Sequence, residues 1–168
     1  MADVSIATPP PASRLAVRGG ETAVTLIGMG FGLALPHAVC RAATDGTRSA
    51  LWLGPDEWLL IAPEGEGPTL MKKISGALGN EPASVVDVSD RNLAIAVSGP
   101  KAAEAINGFN PLDLDLAAFP VGMCTRTLFG KVEIVLWRPA VATFRIEVWR
   151  SFAPYVTGCL EEAVREYT

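Results

Sequence analysis

A chain of 168 residues with a hydrophobic fraction of 49% has apolar material for one domain or for two small, intimately packed halves. Its net charge of −4, with 14 scattered Lys and Arg residues, excludes a nucleic-acid-binding surface, which needs a clustered basic patch to meet phosphates. Pro, Gly, Asp or Arg interrupts every apolar run short of the roughly 20 residues of a membrane helix, and Cys40, Cys124 and Cys159 are too few and too far apart for a disulfide framework.

Residues 1–20 are predicted to be a flexible arm, because Thr8-Pro9-Pro10-Pro11 is stiff and extended and no hydrophobic period surrounds it. The N-terminus lacks the basic-then-apolar order of a secretory signal, so a cytoplasmic location is expected. The run TAVTLIGMGFGLAL at 22–35 predicts strand material bent or broken by Gly28, Gly30 and Gly32, followed by a polar loop over 37–48. Leu51-Trp52-Leu53, the turn Gly54-Pro55-Asp56-Glu57 and Trp58-Leu59-Leu60-Ile61-Ala62 predict a hairpin. Leu70, Ile74, Ala77 and Leu78 then share one face of a helix over 69–78 that stops at Gly79-Asn80.

A continuous pattern follows over 83–155. Val85, Val86 and Val88 predict a strand that turns at Ser89-Asp90-Arg91 and returns through Leu93, Ile95 and Val97. Ser98-Gly99-Pro100 ends it and opens a short helix over 101–108, with Ser98 read as its cap. After the Pro111-Leu112-Asp113 loop, KVEIVLW and TFRIEVW alternate as two strands of a hairpin, and residues 151–167 carry apolar side chains at helical spacing. Strands outnumber helices and pair locally, which predicts an α+β fold with mixed, mainly antiparallel sheets and packed helices. Residues 21–168 then form one compact domain, or two intimate halves at 21–80 and 81–168.

No motif specifies an active site. Gly28-Met29-Gly30-Phe31-Gly32 resembles the start of a dinucleotide loop, but its third Gly is at the wrong spacing and Pro36 interrupts any following helix. His37 and Cys40 lack the second ligand pair of a tetrahedral metal site, and nothing places His37 beside a particular Ser or Cys. Ser98-Gly99-Pro100-Lys101 spells S-x-x-K without the other signatures of acyl-serine enzymes. Asp87, Asp90, Asp113 and Asp115 flank turns, where turn and cap chemistry is their ordinary role. The residues therefore assign no catalytic, cofactor-binding or metal-binding position.

The segments LWLGPDEWLLIAP, VVDVSDRNLAIAVSGPKAAEAI, NPLDLDLAAFPVGMCTRT, VEIVLWR and RSFAPYV, in that order, resemble the gamma-subunit family of heterotetrameric sarcosine oxidase. The resemblance spans roughly 22–167, and it implies a fold related to the folate-binding T-protein of glycine cleavage. It also implies a non-catalytic, structural member of a four-subunit bacterial complex that oxidises sarcosine with O2 to glycine and hydrogen peroxide, the one-carbon unit leaving as formaldehyde or passing to tetrahydrofolate. FAD, FMN, NAD, tetrahydrofolate and zinc would then reside in other subunits, and the partners would be the alpha, beta and delta subunits, alpha foremost. Asn110 and Asp115 stand where the family's pattern has Cys and His. The alternative is a free-standing folate-binding or aminomethyl-transfer protein of the same superfamily, expected to be about twice as long; the Lys-Gly-Cys-Tyr-type motif of the iron-sulfur-maturation branch is missing around the three cysteines.

A subunit without chemistry of its own acts through its surface. Positive mean hydropathy and four Trp suggest apolar area reserved for a partner. Trp137 and Trp149 fall on the strand faces opposite the cleanest alternation and are expected to point outward. The predicted partner interface is Asn110, Pro111, Leu112, Asp113, Trp137, Trp149, Arg150 and Phe152.

Overall fold

A computed structural model describes residues 3–167. In chain order the strands and helices are β1 (Ser5–Ala7), β2 (Ala12–Gly19), α1 (Glu21–Phe31), β3 (Ala42–Thr44), β4 (Ser49–Gly54), β5 (Glu57–Pro63), α2 (Gly67–Leu78) and β6 (Ala83–Asp87). They continue with β7 (Asn92–Ser98), α3 (Ala102–Asn107), β8 (Cys124–Phe129), β9 (Val132–Ala140), β10 (Thr143–Trp149) and α4 (Ala153–Val164). The fold is α+β as predicted, and every strand pairing in its two five-stranded sheets is antiparallel.

The chain forms two compact units. The first, Pro11–Ser89, carries the sheet β3-β4-β5-β2-β6. Its connectivity repeats strand, helix, strand twice, as β2-α1-β4 and β5-α2-β6, which is the split βαβ arrangement. Leu15 and Val17 of β2, Ala50 of β4 and Trp58, Leu60 and Ala62 of β5 pack with Val24, Ile27 and Phe31 of α1 and Leu70 and Ile74 of α2. The Trp58 indole N–H reaches the Pro36 carbonyl at 2.7 Å, so this buried ring leaves no donor unpaired.

The strand expected over 22–35 is instead the helix α1, whose buried Ala23, Val24, Ile27 and Phe31 follow helical spacing. Its glycines answer a packing demand. A methyl group at Gly30 would stand 2.6 Å from the Ile74 Cα, so α1 and α2 touch backbone to backbone there. Gly32, at φ 81, ends the helix in the left-handed conformation and donates its N–H to the Gly28 carbonyl at 2.9 Å. The expected polar loop also differs, since it contains β3 paired with β4. The β4–β5 hairpin and α2 form where the sequence indicates.

The second unit comprises residues 3–10 and 90–167, with sheet order β1-β7-β10-β9-β8. Ile95 and Val97 face Ile146 and Phe144 across the β7–β10 ladder. Together with Ile134 and Leu136 they bury against Ala102, Ala105 and Ile106 of α3 and Val156 and Leu160 of α4. Here too the pattern is split βαβ, as β7-α3-β9 and β10-α4, but the fourth strand comes from the other end of the chain. β1 pairs Ile6 with Val97 at the slot that a strand following α4 would otherwise fill.

The expected arm is therefore structured: residues 1–20 hold β1 and β2, apart from residues 1 and 2, which lie outside the described residues. β6 and β7, read in the sequence as one continuous pattern, hydrogen-bond in different sheets, and the boundary between units follows Ser89 rather than residue 80.

Candidate functional site

Three of the four aspartates singled out in the sequence serve local geometry. The Asp87 Oδ1 accepts from the Ser89 N–H at 2.9 Å and its hydroxyl at 2.6 Å, the Asp113 Oδ1 from the Asp115 N–H at 2.9 Å, and the Asp115 Oδ1 from the Ala117 N–H at 2.8 Å. These are Asx turns. Ser98 does not cap α3: it lies in β7, and Lys101 occupies the cap position with no side-chain hydrogen bond to the helix. His37 is exposed and lines a cleft of about 490 Å³ with Arg18, Glu21, Asp56 and Trp58, a lining that includes no Ser or Cys. Among the described residues no three His, Cys, Asp or Glu side chains gather as metal ligands.

The loop after α3 is built from the inside. Asn110 is 4% exposed; its amide donates to the Leu128 carbonyl at 2.7 Å and to the Thr127 hydroxyl at 3.4 Å, and its Oδ1 accepts from the Leu112 N–H at 3.0 Å. Arg138, 5% exposed, holds the far end. Its guanidinium donates to the carbonyls of Leu114 (3.0 Å), Phe119 (2.8 Å) and Val141 (2.6 and 3.0 Å) and lies 4.8 Å from the Phe144 ring centroid. Burial pushes its pKa below the ordinary arginine value, with the Asp115 charge acting in the opposite direction. This cation, which the sequence does not flag, pins the Leu114–Phe119 end of the loop, on which Pro111 and Asp113 are exposed.

At the end of β10 the arrangement is reversed, with large apolar groups facing solvent. Trp149 is 48% exposed and Phe152 43%. Their rings stack with centroids 6.2 Å apart and planes 20° apart, while the Arg91 guanidinium lies 5.4 Å from the Trp149 centroid on the same surface. The β7–β10 register, Trp149 opposite Asn92, brings Arg91 there. The Arg150 N–H donates to the Arg91 carbonyl at 2.7 Å and its Nε to the Asp90 carbonyl at 2.9 Å, which ties the turn before β7 to the turn after β10.

Of the predicted interface residues, the structure thus groups Trp149, Arg150 and Phe152, adds Arg91, and displays Pro111 and Asp113. Trp137 is 8% exposed and does not point outward as expected, because its face of the sheet is covered around Val135 and Glu147 and opens only toward Glu133 and Trp149. Asn110 is likewise buried, and Leu112 packs partly against the core.

The family model described as "Sarcosine oxidase, gamma subunit family" matches residues 18–166. "Sarcosine oxidase subunit gamma" of Corynebacterium sp. (strain U-96) is 35% identical over 150 residues, covering 89% of this chain and 72% of that protein. A chain of the heterotetrameric sarcosine oxidase from Corynebacterium sp. U-96, solved in complex with pyrrole 2-carboxylate, superposes with a TM-score of 0.91 at 32% identity, over 98% of this chain and 85% of that one. The glycine cleavage system aminomethyltransferase T from Bartonella henselae gives a TM-score of 0.69 at 14% identity, over 95% of this chain but 45% of that one, a likeness of fold alone.

Proposed function

This chain belongs to the sarcosine oxidase gamma subunit family, and from that premise we propose that it is a structural subunit which docks on its partners through the Trp149 surface and performs no chemistry of its own. It is a subunit of a heterotetrameric sarcosine oxidase, as the superposition over 98% of its length supports. Oxidation of sarcosine to glycine, with peroxide and formaldehyde or methylene-tetrahydrofolate as the other products, then belongs to the remaining subunits, as do FAD, FMN, NAD, tetrahydrofolate and zinc.

The observation that carries the docking role is the exposure of the Trp149–Phe152 stack. Aromatic rings held rigid by a neighbour lose little conformational entropy on binding, so they make effective interface anchors. Pro111 and Asp113, exposed in a loop that Asn110 anchors through the Leu112 N–H, are a second candidate docking element, and the alpha subunit is the partner proposed for this chain.

Co-expression of the other three subunits with and without this chain tests the reading through complex yield, flavin content and sarcosine-dependent peroxide production. Assembly that needs this chain, together with W149A weakening its incorporation by about 2 kcal/mol or more, is the expected result. A complex that forms and turns over equally well without the chain would end the structural reading.

A further inference from the structure

Arg14 and Arg41 apart, the arginines of this chain divide into two groups. Arg18, Arg48, Arg126, Arg145 and Arg165 pair with Glu57, Glu66, Glu133, Glu147 and Glu162, and Arg138 is saturated by carbonyls. Arg91 and Arg150 make no ion pair among the described residues, and both are exposed beside the Trp149–Phe152 stack. Only one nitrogen of each is engaged: the Arg91 Nε with the Asn92 Oδ1 at 3.1 Å, and the Arg150 Nε with the Asp90 carbonyl at 2.9 Å. The Nη ends, which form the planar fork that suits a carboxylate, stay available on both. Asp90 is the nearest acid in sequence, and it is exposed without an ion pair to either.

In a chain of net charge −4, two uncommitted guanidinium groups at one aromatic surface are a local reversal of sign. The ring faces repel an anion and accept apolar or cationic groups, while the Nη forks accept an anion, so the patch is bipartite. Resting on the docking reading above, the geometry points to its occupant: an acidic segment of another subunit, with an apolar or proline side chain laid on Trp149 and Phe152 and an Asp or Glu carboxylate on Arg91 and Arg150. A second copy seated by the same patch would set Arg91 and Arg150 against their own like charges, so charge complementarity selects another subunit.

The test uses the co-expressed heterotetramer, with wild-type and variant gamma chains of distinguishable mass competing for incorporation, read by native mass spectrometry. R91E/R150E is expected to enter the complex at least about tenfold less often than wild type, and R91K/R150K to recover most of that loss. The wild-type advantage over R91E/R150E should shrink as salt is raised through the range where the Debye length falls from about 10 Å to about 3 Å. In the R150K complex, zero-length carbodiimide coupling should join the introduced amine to an Asp or Glu of another subunit. W149A reports the docking reading by itself. If W149A loses incorporation while R91E/R150E competes equally, the surface docks but its occupant is not acidic; if both compete equally, the docking reading fails as well. Should R91E/R150E not accumulate, the cross-link decides, and coupling only within this chain, or none, overturns the proposal.

Discussion

Replacing Arg138 with Met keeps most of the side-chain volume and removes every donor that it supplies. The Leu114 and Phe119 carbonyls are then left buried without that partner, whereas Val141 is exposed and its carbonyl can turn to water. A buried acceptor without a partner costs about 1–3 kcal/mol, which sets a gross loss of about 2–6 kcal/mol for the two. Removing a charge that burial disfavours, as its lowered pKa records, gives part of that back. The net expectation is about 2–4 kcal/mol, or a fall in Tm of roughly 5–15 °C for a chain of this length. R138K, with one compact ammonium for three carbonyls, should fall between the two. Thermal melts followed by circular dichroism give the magnitude. Amide exchange gives the location: the amides of Phe119 and Gly122 should exchange faster in R138M while those of β7 and β10 stay protected. A melt within about 0.5 kcal/mol of wild type would refute the reasoning, since it would mean that water or the backbone satisfies the carbonyls unaided.

Three other outcomes follow from separate parts of the molecule. G30A should lose about 1–3 kcal/mol because the added methyl meets the Ile74 backbone at 2.6 Å, a contact that only a shift of α2 relieves; a circular dichroism melt equal to wild type would contradict that close approach. N110A should lose about 1–2 kcal/mol and weaken incorporation into the complex, while N110S should recover part of the Leu128 contact, as urea titration and co-expression would report. Asp45 should titrate below 3.8 by NMR because its Oδ1 accepts the Arg48 and Thr47 N–H groups at 2.7 and 2.8 Å. Since that folded value lies below the unfolded one, the carboxylate's support of the 45–48 turn is fully present above about pH 4 and disappears as pH falls through the folded value, so D45A should loosen the turn at neutral pH and match wild type in acid.

Local alternation made the hairpins legible. Trp58 to Ala62 and Phe144 to Val148 announce their strands because each pattern is complete within a few residues, and turn chemistry sets the return. α1 is hidden for the opposite reason: Gly30, which lowers its helix propensity, is required by Ile74, more than 40 residues away, and no local window contains that demand. The division between β6 and β7 was hidden in the same way, because the partners of β6 lie in β2, where Asp87 faces Leu15. Trp149, Arg150 and Phe152 were legible as neighbours in sequence, whereas Arg91 joins them only through a strand register fixed by the core. Arg138 had no signature because carbonyls of any residue type can hold it.

The origin of β1 has a consequence for synthesis. The segment carrying Ile6 leaves the ribosome well before its seat beside Val97, which does not exist until about 90 further residues have been made, and the sheet around that seat also needs β10, which is later still. The intervening unit has all five of its strands in one stretch of sequence and can fold while β1 waits unpaired, whereas the second unit must close a loop of about 90 residues between β1 and β7. β1 is thus made early and seated late, and its loss would be felt in the second unit, where β7 would be left as an open edge.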